Sequence, residues 1–556
     1  MTRYANYGRL DDPMREDGDT AFVGLNSREE PSRLQPGQVS DAKNVRMEDG
    51  KATTRLGYTT EIDFGGYNLA TEARDLLTTE DGDYFAVDDS QVVPTFSASY
   101  FGGIGLSDRN QIMLVRSDDL LFWDGETYTE KPFETLYTFD PILPINLDFI
   151  LGQNTELEQA ITGENVEAVQ YNNQLILFSG MGPVLSVNLD FFLSQDVQKW
   201  NGNIDDAIEA DPNIPNGDFA VVSGNRLAVK TDHDTVSFSD IANESNFDVL
   251  NKFFIGAGDG DNISGLAPIP ESALLVFKKR SVWAIAGLNN ITSAFVTQIS
   301  KQTGCVSRHS IQTVGSSVFF LGDGGVYAMD VGLDASNAKG VLTRFALQDR
   351  PLSEPINDQI LSENLRTAET TCRSMFFDNR YYLSFVDDTS SRVYIFNTIL
   401  GAWESRDEYD FVIRDFVRAK LKTDSKERLF CITKEGQLFK LDDGFTDNGS
   451  DINWSLTTRA YDNKNLEIKN FRRGYVKMES LDATGTSQVS LNLTDPDNSY
   501  AVPVERPENE GYIRRFSIGR RGNSLSFTFS GQGRDAVKHC RAEFIENNHN
   551  LMKTYK

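Results

Sequence analysis

The chain carries four histidines, His233, His309, His539 and His549. No two stand at a metal-ligand spacing and no HExxH run occurs, so no zinc-hydrolase centre is written here. His233 sits in KTDHDTV, a polar turn between apolar runs, and reads as a solvated turn residue. Cys305 and His309, in GCVSRH, make one conceivable thiol–imidazole pair. No third residue nearby would orient that base, and a packed or hydrogen-bonded loop histidine is the plainer reading. Cys305, Cys372, Cys431 and Cys540 are scattered without a CxxC pair and read as buried thiols. Asp259 and Asp261 in GAGDGDNISG offer hard oxygens to Ca²⁺, but the loop lacks the EF-hand order and its closing Glu. A capped Gly/Asp turn is the competing reading. Glycoside hydrolysis needs two carboxylates about 5–9.5 Å apart, a separation that sequence does not supply. GDGG at 322–325 and FGGIG at 101–105 lack the lysine and the strand–loop–helix setting of a phosphate loop. The expectation is a protein that is not an enzyme, with no cofactor and no resident metal.

The elements that would position such residues are short hairpins. SALLVFKKRSVWAIAG (Ser272–Gly287) and GSSVFFLGDGGVYAMD (Gly315–Asp330) each show an apolar run, a tight polar turn and a second run holding an aromatic. Trp283 and Tyr327 are 44 residues apart, the spacing of propeller blades. Six more units follow this grammar: 81–96, Asn110–Gly125, Asn172–Asn188, Gly224–Asp240, Asp378–Asn397 and Glu427–Asp443. The aromatic-to-aromatic step is 45 from Phe238 to Trp283 and 45 from Tyr394 to Phe439, but 67 from Tyr327 to Tyr394. An insertion around 344–372 accounts for the long step. A lone hairpin is marginal, and radial stacking covers its edges. The pattern predicts an all-β fold: an irregular β-propeller of six to eight blades over 80–443.

Composition agrees with a folded β protein: 36 Phe, 19 Tyr and 43 Gly against 17 Pro. A net charge of −28 argues against a sustained basic groove for nucleic acid. It reads as solubility, or as a surface that does not hold passing DNA. The first residues show no apolar signal core and no run approaches 18 apolar residues, so no membrane-spanning segment is expected.

Residues 1–20 are polar and read as a flexible arm, followed by an N-terminal strap over 21–79. Gln38–Lys43 reads as one helical turn, and Asn44–Glu48 with Lys51–Arg55 as a hairpin around Asp49-Gly50. The strap matches the pattern GLNSR…P…L.PGQ..DAKNVR...G...TR.GY, from Gly24 to Tyr58. Arg28, Arg46 and Arg55 in it stand ready to pair with carboxylates in a sheet or at a subunit contact. This stretch, about a tenth of the chain, resembles the start of the bacteriophage tail nozzle or tail tubular proteins of short-tailed phages.

A second insertion, 128–167, carries Phe133, Tyr137 and Phe149 and reads as a subunit interface, a flap over the propeller, or a sugar or substrate lid. From 444 to 545 the grammar changes to alternating strands, including 489–494, 514–519 and 524–530. They form a separate C-terminal antiparallel sandwich or a layer docked on the propeller. Ser455–Arg459, followed by Lys469, Phe471, Arg472, Arg473 and Tyr475, is similar to the closing domain of the same phage family. A polar tail closes the chain from about 543, with 546–556 outside the domain. The resemblance implies a virion protein of the phage tail, assembled in the host cytoplasm. It would be a homo-oligomer, a hexamer, ringing the DNA exit channel and joining adaptor and fibre or spike proteins. Arg28, Arg46, Arg55, Phe133, Tyr137, Phe149, Arg472 and Arg473 are the interface candidates. A carbohydrate-binding propeller for receptor recognition and a propeller glycoside hydrolase remain the alternatives.

Overall fold

The computed structural model describes residues 14–63, 100–106, 109–116, 119–132, 167–178, 184–189, 208–210, 213–269, 273–334, 342–434, 436–481, 486–493, 500–504 and 513–546. The hairpin expected at 81–96 and the interface candidates Phe133, Tyr137 and Phe149 lie outside these residues. The chain is all-β. The other seven expected hairpins are each two neighbouring antiparallel strands; six are the middle pair of a four-strand meander, and Arg380–Val386 with Ser391–Asn397 lies within a ten-strand sheet. In Ile263–Ile269, Ala273–Lys278, Val282–Ala286 and Phe295–Ser300, for example, every strand pairs with its sequence neighbour. Second strands such as Ala273–Lys278 are buried at every position, because both faces of the sheet are covered. Third strands carry the recurring aromatics Phe238, Trp283, Tyr327, Tyr394 and Phe439. Tight turns between first and second strands reuse one chemistry. Gly224-Asn225 and Asp378-Asn379 put two successive residues at positive φ, as a two-residue hairpin of this twist requires. One meander takes its fourth strand from far away in sequence: Tyr58–Asp63 pairs beside Gln437–Leu441.

The chain divides into two compact units, residues 60–298 with 411–440, and residues 1–59 with 299–410 and 441–556. In the first unit the leading strands of successive meanders lie side by side, in the order Ile413–Ala419, Tyr100–Leu106, Glu167–Tyr171, Ala220–Ser223, Ile263–Ile269. Their cores are shared between neighbours. Ile112 and Leu114 pack with Phe430 and Ile432, Ile176 and Phe178 with Leu227 and Val229, and Phe238 with Leu274 and Ile285. Fully burying each such side chain contributes about 1.5–3 kcal/mol.

The second unit joins the strap and the C-terminal strands into one structure. Val45–Glu48 and Lys51–Thr54 form the expected hairpin, and it continues a sheet of Asp535–Glu546, Lys469–Ser480 and Ile513–Gly522. Gln38–Lys43 is a strand, not a helical turn. It runs antiparallel to Asn453–Thr458 and touches the edge of Ala402–Tyr409. A bulge between Val39 and Asp41 lets Val39 and Ala42 both face the core despite a spacing of three. Arg15–Asp19, expected within a flexible arm, pairs along Asp535–Glu546, and that strand carries Glu543 to Glu546 beyond the expected start of the tail. Val45, Met47, Leu456, Phe471, Phe527, Phe529 and Phe544 share one core between the two sheets. The insertion expected around 344–372 begins inside the strand Leu342–Leu347 and then folds, between 354 and 371, as short helical turns whose Ile356, Ile360 and Ala368 join that core.

Gly57 lies against the loop at 443–446, with its carbonyl accepting from the Asp443 N–H at 3.0 Å. A Cβ at this position would stand 1.9 Å from the Thr446 carbonyl oxygen. Gly57→Ala is expected to lower stability by about 2–3 kcal/mol, read as a lower urea midpoint at unchanged slope.

Candidate functional site

Asn44 ends one strand of the strap and begins the turn into the next, at φ 55°. Asparagine tolerates this left-handed backbone better than most residues. Its side chain is fully engaged. The amide donates to the Asn453 carbonyl at 2.7 Å, and its oxygen accepts from Arg55 Nε at 3.0 Å and the Glu408 N–H at 3.1 Å. Arg46 then forks onto Asp407 at 2.9 and 2.6 Å, and Ser405 Oγ donates to the same carboxylate at 2.8 Å. Burial works against the Arg46 charge, yet Asp407 outweighs it and holds the guanidinium well above its ordinary pKa. Arg55 forks onto Asp447 with both bonds at 2.7 Å and lies 4.5 Å over the Tyr409 ring. Arg380 donates to Glu404 at 2.8 Å and also pairs with Glu48. Arg459 holds Asp17 at 2.6 Å and Asp19 at 3.0 Å.

Beside this network opens a polar cleft of about 910 Å³. Asn44, Tyr409 and Asp447 contribute to its wall, with Glu408, Asp410, Asp451, Asn453 and Trp454. Residues 447–450 form a tight loop in which Asp447 and Ser450 exchange backbone hydrogen bonds at 2.8 and 2.9 Å. Burial would raise the Glu408 carboxyl, but Lys43 and Arg406 outweigh it and hold it below the usual carboxylate range. Glu408 is therefore ionised at neutral pH, and Asp447 has both oxygens committed to Arg55. Neither is placed to give the proton that glycosidic cleavage requires.

Sequence-singled residues fall elsewhere. Arg46 and Arg55 are buried among partners of their own chain, so the carboxylates they were expected to meet lie within the fold and not on a sister copy. This corrects their place among the interface candidates. Arg28 reaches Glu354 at 3.0 Å and keeps half its side chain in solvent. Arg472 is half-buried and Arg473 exposed on the sheet that also sets Tyr475 between the guanidiniums of Arg515 and Arg541. The Cys305 thiol donates to the Ser307 carbonyl at 3.0 Å, and burial pushes it up to about 12, far from a nucleophile paired with His309. All four cysteines are free and buried. His233 is an exposed turn residue. At Asp259 the cation is supplied from within: Lys278 Nζ lies 2.7 and 2.8 Å from its two oxygens. Asp261 accepts from the Arg280 N–H at 2.9 Å, so the loop is a capped turn clamped by lysine and not a calcium loop. Sequence gave no sign of Asp407, Glu404, Asp447 or the cleft. The one usable signal was that arginines in a strap demand carboxylates from elsewhere in the chain.

No family model matches the chain, and no curated protein matches it. Among solved structures, an extracellular domain assigned to a one component system of B. thetaiotaomicron aligns at 9% identity and a TM-score of 0.37, covering 89% of this chain and 62% of its own. Raptor of Chaetomium thermophilum aligns at 10% and 0.35, over 62% of this chain and 28% of Raptor. This chain therefore spans less than two thirds of the length of either, and at these scores neither likeness bears on its fold or function. Among the described residues no helix is long and apolar enough to cross a membrane.

Arg46→Met should strand the buried Asp407 carboxylate. The expected loss is about 3–5 kcal/mol, measured by urea unfolding, with Arg46→Lys costing less because it keeps the charge but not the fork.

Proposed function

We propose that the meanders are blades of one β-propeller and that the chain is a structural virion protein of the phage-tail nozzle kind. Several features support the propeller. The sheets recur at blade spacing, the leading strands of neighbours lie side by side within the first unit, and Tyr58–Asp63 completes the last meander from the opposite region of the chain. Such a closing strand is what a ring of blades needs to hide its edges.

The observation that carries the functional reading is what the residues of the nozzle-like pattern do. Asn44, Arg46, Arg55 and Gly57 each make a specific contact that binds the strap to strands or loops far along the chain. A pattern this dense would mark the architectural seam of a scaffold, not a reaction centre. In this reading copies form a ring of six around the DNA exit channel, joined to adaptor and to fibre or spike proteins. The net charge of −28 would let DNA pass without tight binding. Arg28, Arg472 and Arg473 remain as contact candidates, since their side chains reach the surface.

Mass photometry and negative-stain imaging of the purified full chain test this. The expected result is a closed ring of about six copies that joins tail adaptor protein. A stable monomer with no affinity for tail proteins would count decisively against it.

A further inference from the structure

We infer that the outer face of Ile513–Gly522, Lys469–Ser480 and Asp535–Glu546 docks on an acidic surface of a second copy of this chain. Such a contact rests on the reading above that copies assemble, and it gives that assembly its surface. Side chains alternate across these strands. Val476 and Phe516 pack on the core. Arg473, Tyr475 and Lys477 therefore stand on the opposite face, with Ser517, Arg515 and Ile513 beside them in register. Glu543, Arg541 and His539 continue the rows on the third strand. Arg541 lies 4.5 Å and Arg515 5.4 Å from the centre of the Tyr475 ring, and stacking orders both guanidiniums. Arg541 meets Glu16 at 2.8 Å and Glu543 at 3.9 Å. Arg473, Lys477 and Arg515 enter none of the ion pairs among the described residues, and both arginines are exposed. At His539 burial first, then Arg541 and Lys477, hold the imidazole pKa below its ordinary value, against Asp19 and Glu16.

Ile513–Gly522 is the outermost strand of its sheet among the described residues, and it carries four arginines and no acid. A charged edge keeps strands from pairing astray. That role asks for charge and not for one sign, and this chain holds 82 acids against 54 bases. One basic face on so acidic a chain finds its complement on the chain's own copies. Acidic surface is at hand: Asp410 and Asp451, for example, are exposed and enter none of the ion pairs among the described residues. Like charge keeps the basic face from meeting itself, so a two-fold contact through it is excluded. The contact is heterologous, head to tail, the kind that closes rings. At 0.15 M salt, screening acts over about 8 Å, so each face meets its neighbour's local charges and not the net charge. Nucleic acid fits less well. Arg473 to Lys477 spans about 13 Å, and a longer phosphate backbone runs off it onto a chain of net charge −28.

Sedimentation velocity and negative-stain imaging of the full chain test the surface, at 0.15 M and 1 M sodium chloride. Arg473→Glu and Arg515→Glu are compared with the parent, with Arg473→Lys as the charge-keeping control. Both positions are exposed, and urea midpoints near the parent's confirm folding. The parent should associate, and each Glu variant should associate about tenfold more weakly. Arg473→Lys should stay near the parent, and 1 M salt should weaken the parent. A parent ring that persists in both Glu variants overturns this surface and leaves the ring reading standing. Open head-to-tail chains that the Glu variants abolish support the surface and count against the closed ring. A monomeric parent overturns both. A parent that stays monomeric yet binds a 30-base-pair DNA, with that binding lost in the Glu variants, overturns the choice of a second copy as the occupant.

Discussion

A charge enclosed by protein must be paired, or it costs several kcal/mol. Arg46 and Arg55 bring two permanent positive charges into the interior within ten residues of each other, and only carboxylates placed to face them make that tolerable. Asp407 and Asp447 fill that role from positions more than 350 residues further along. The strap can therefore seat in one way only. Its strands lie where those carboxylates are, its corner is fixed by Asn44, and Gly57 leads the chain past Thr446 into Tyr58–Asp63. The same seating brings Glu48 to Arg380 and, through Arg15–Asp19, Asp17 and Asp19 to Arg459. Apolar burial supplies most of the stability of the shared core. The paired charges supply its uniqueness of register, since a slip of one residue would leave each of them buried alone.

The meanders were legible because their middle strands are covered on both faces. Apolar runs such as Ala273–Lys278 and turns such as Asp378-Asn379 stand out in a single sequence. Outer strands were not, since one side faces solvent and their burial is patchy, as along Phe295–Ser300. Gln38–Lys43 misled for a specific reason. Val39 and Ala42 are three apart, the helical spacing, and a bulge rather than a helix brings them to one face. Arg15–Asp19 misled because REDGD holds no apolar residue. Its place in the sheet comes from backbone pairing and from Asp17 and Asp19 meeting Arg459, neither of which shows in local sequence.

Of the site, the arginines could be seen and their partners could not. Arg46 and Arg55 were marked as residues in want of carboxylates, but among 82 acidic residues nothing singles out Asp407 or Asp447. The cleft was invisible for the same reason. Asp410 and Asp451 lie in ordinary polar loop text, Asn453 only opens a strand, and Trp454 reads as a core aromatic of that alternating strand, which it also is.

The central claim is that strap and C-terminal strands are one cooperative structure, and hydrogen exchange followed by mass spectrometry tests it most directly. Amides of 38–55 should exchange as slowly as those of 453–458 and 535–546, all three opening together under mild urea. Full exchange of 38–55 within seconds, while the other two stay protected, would contradict it.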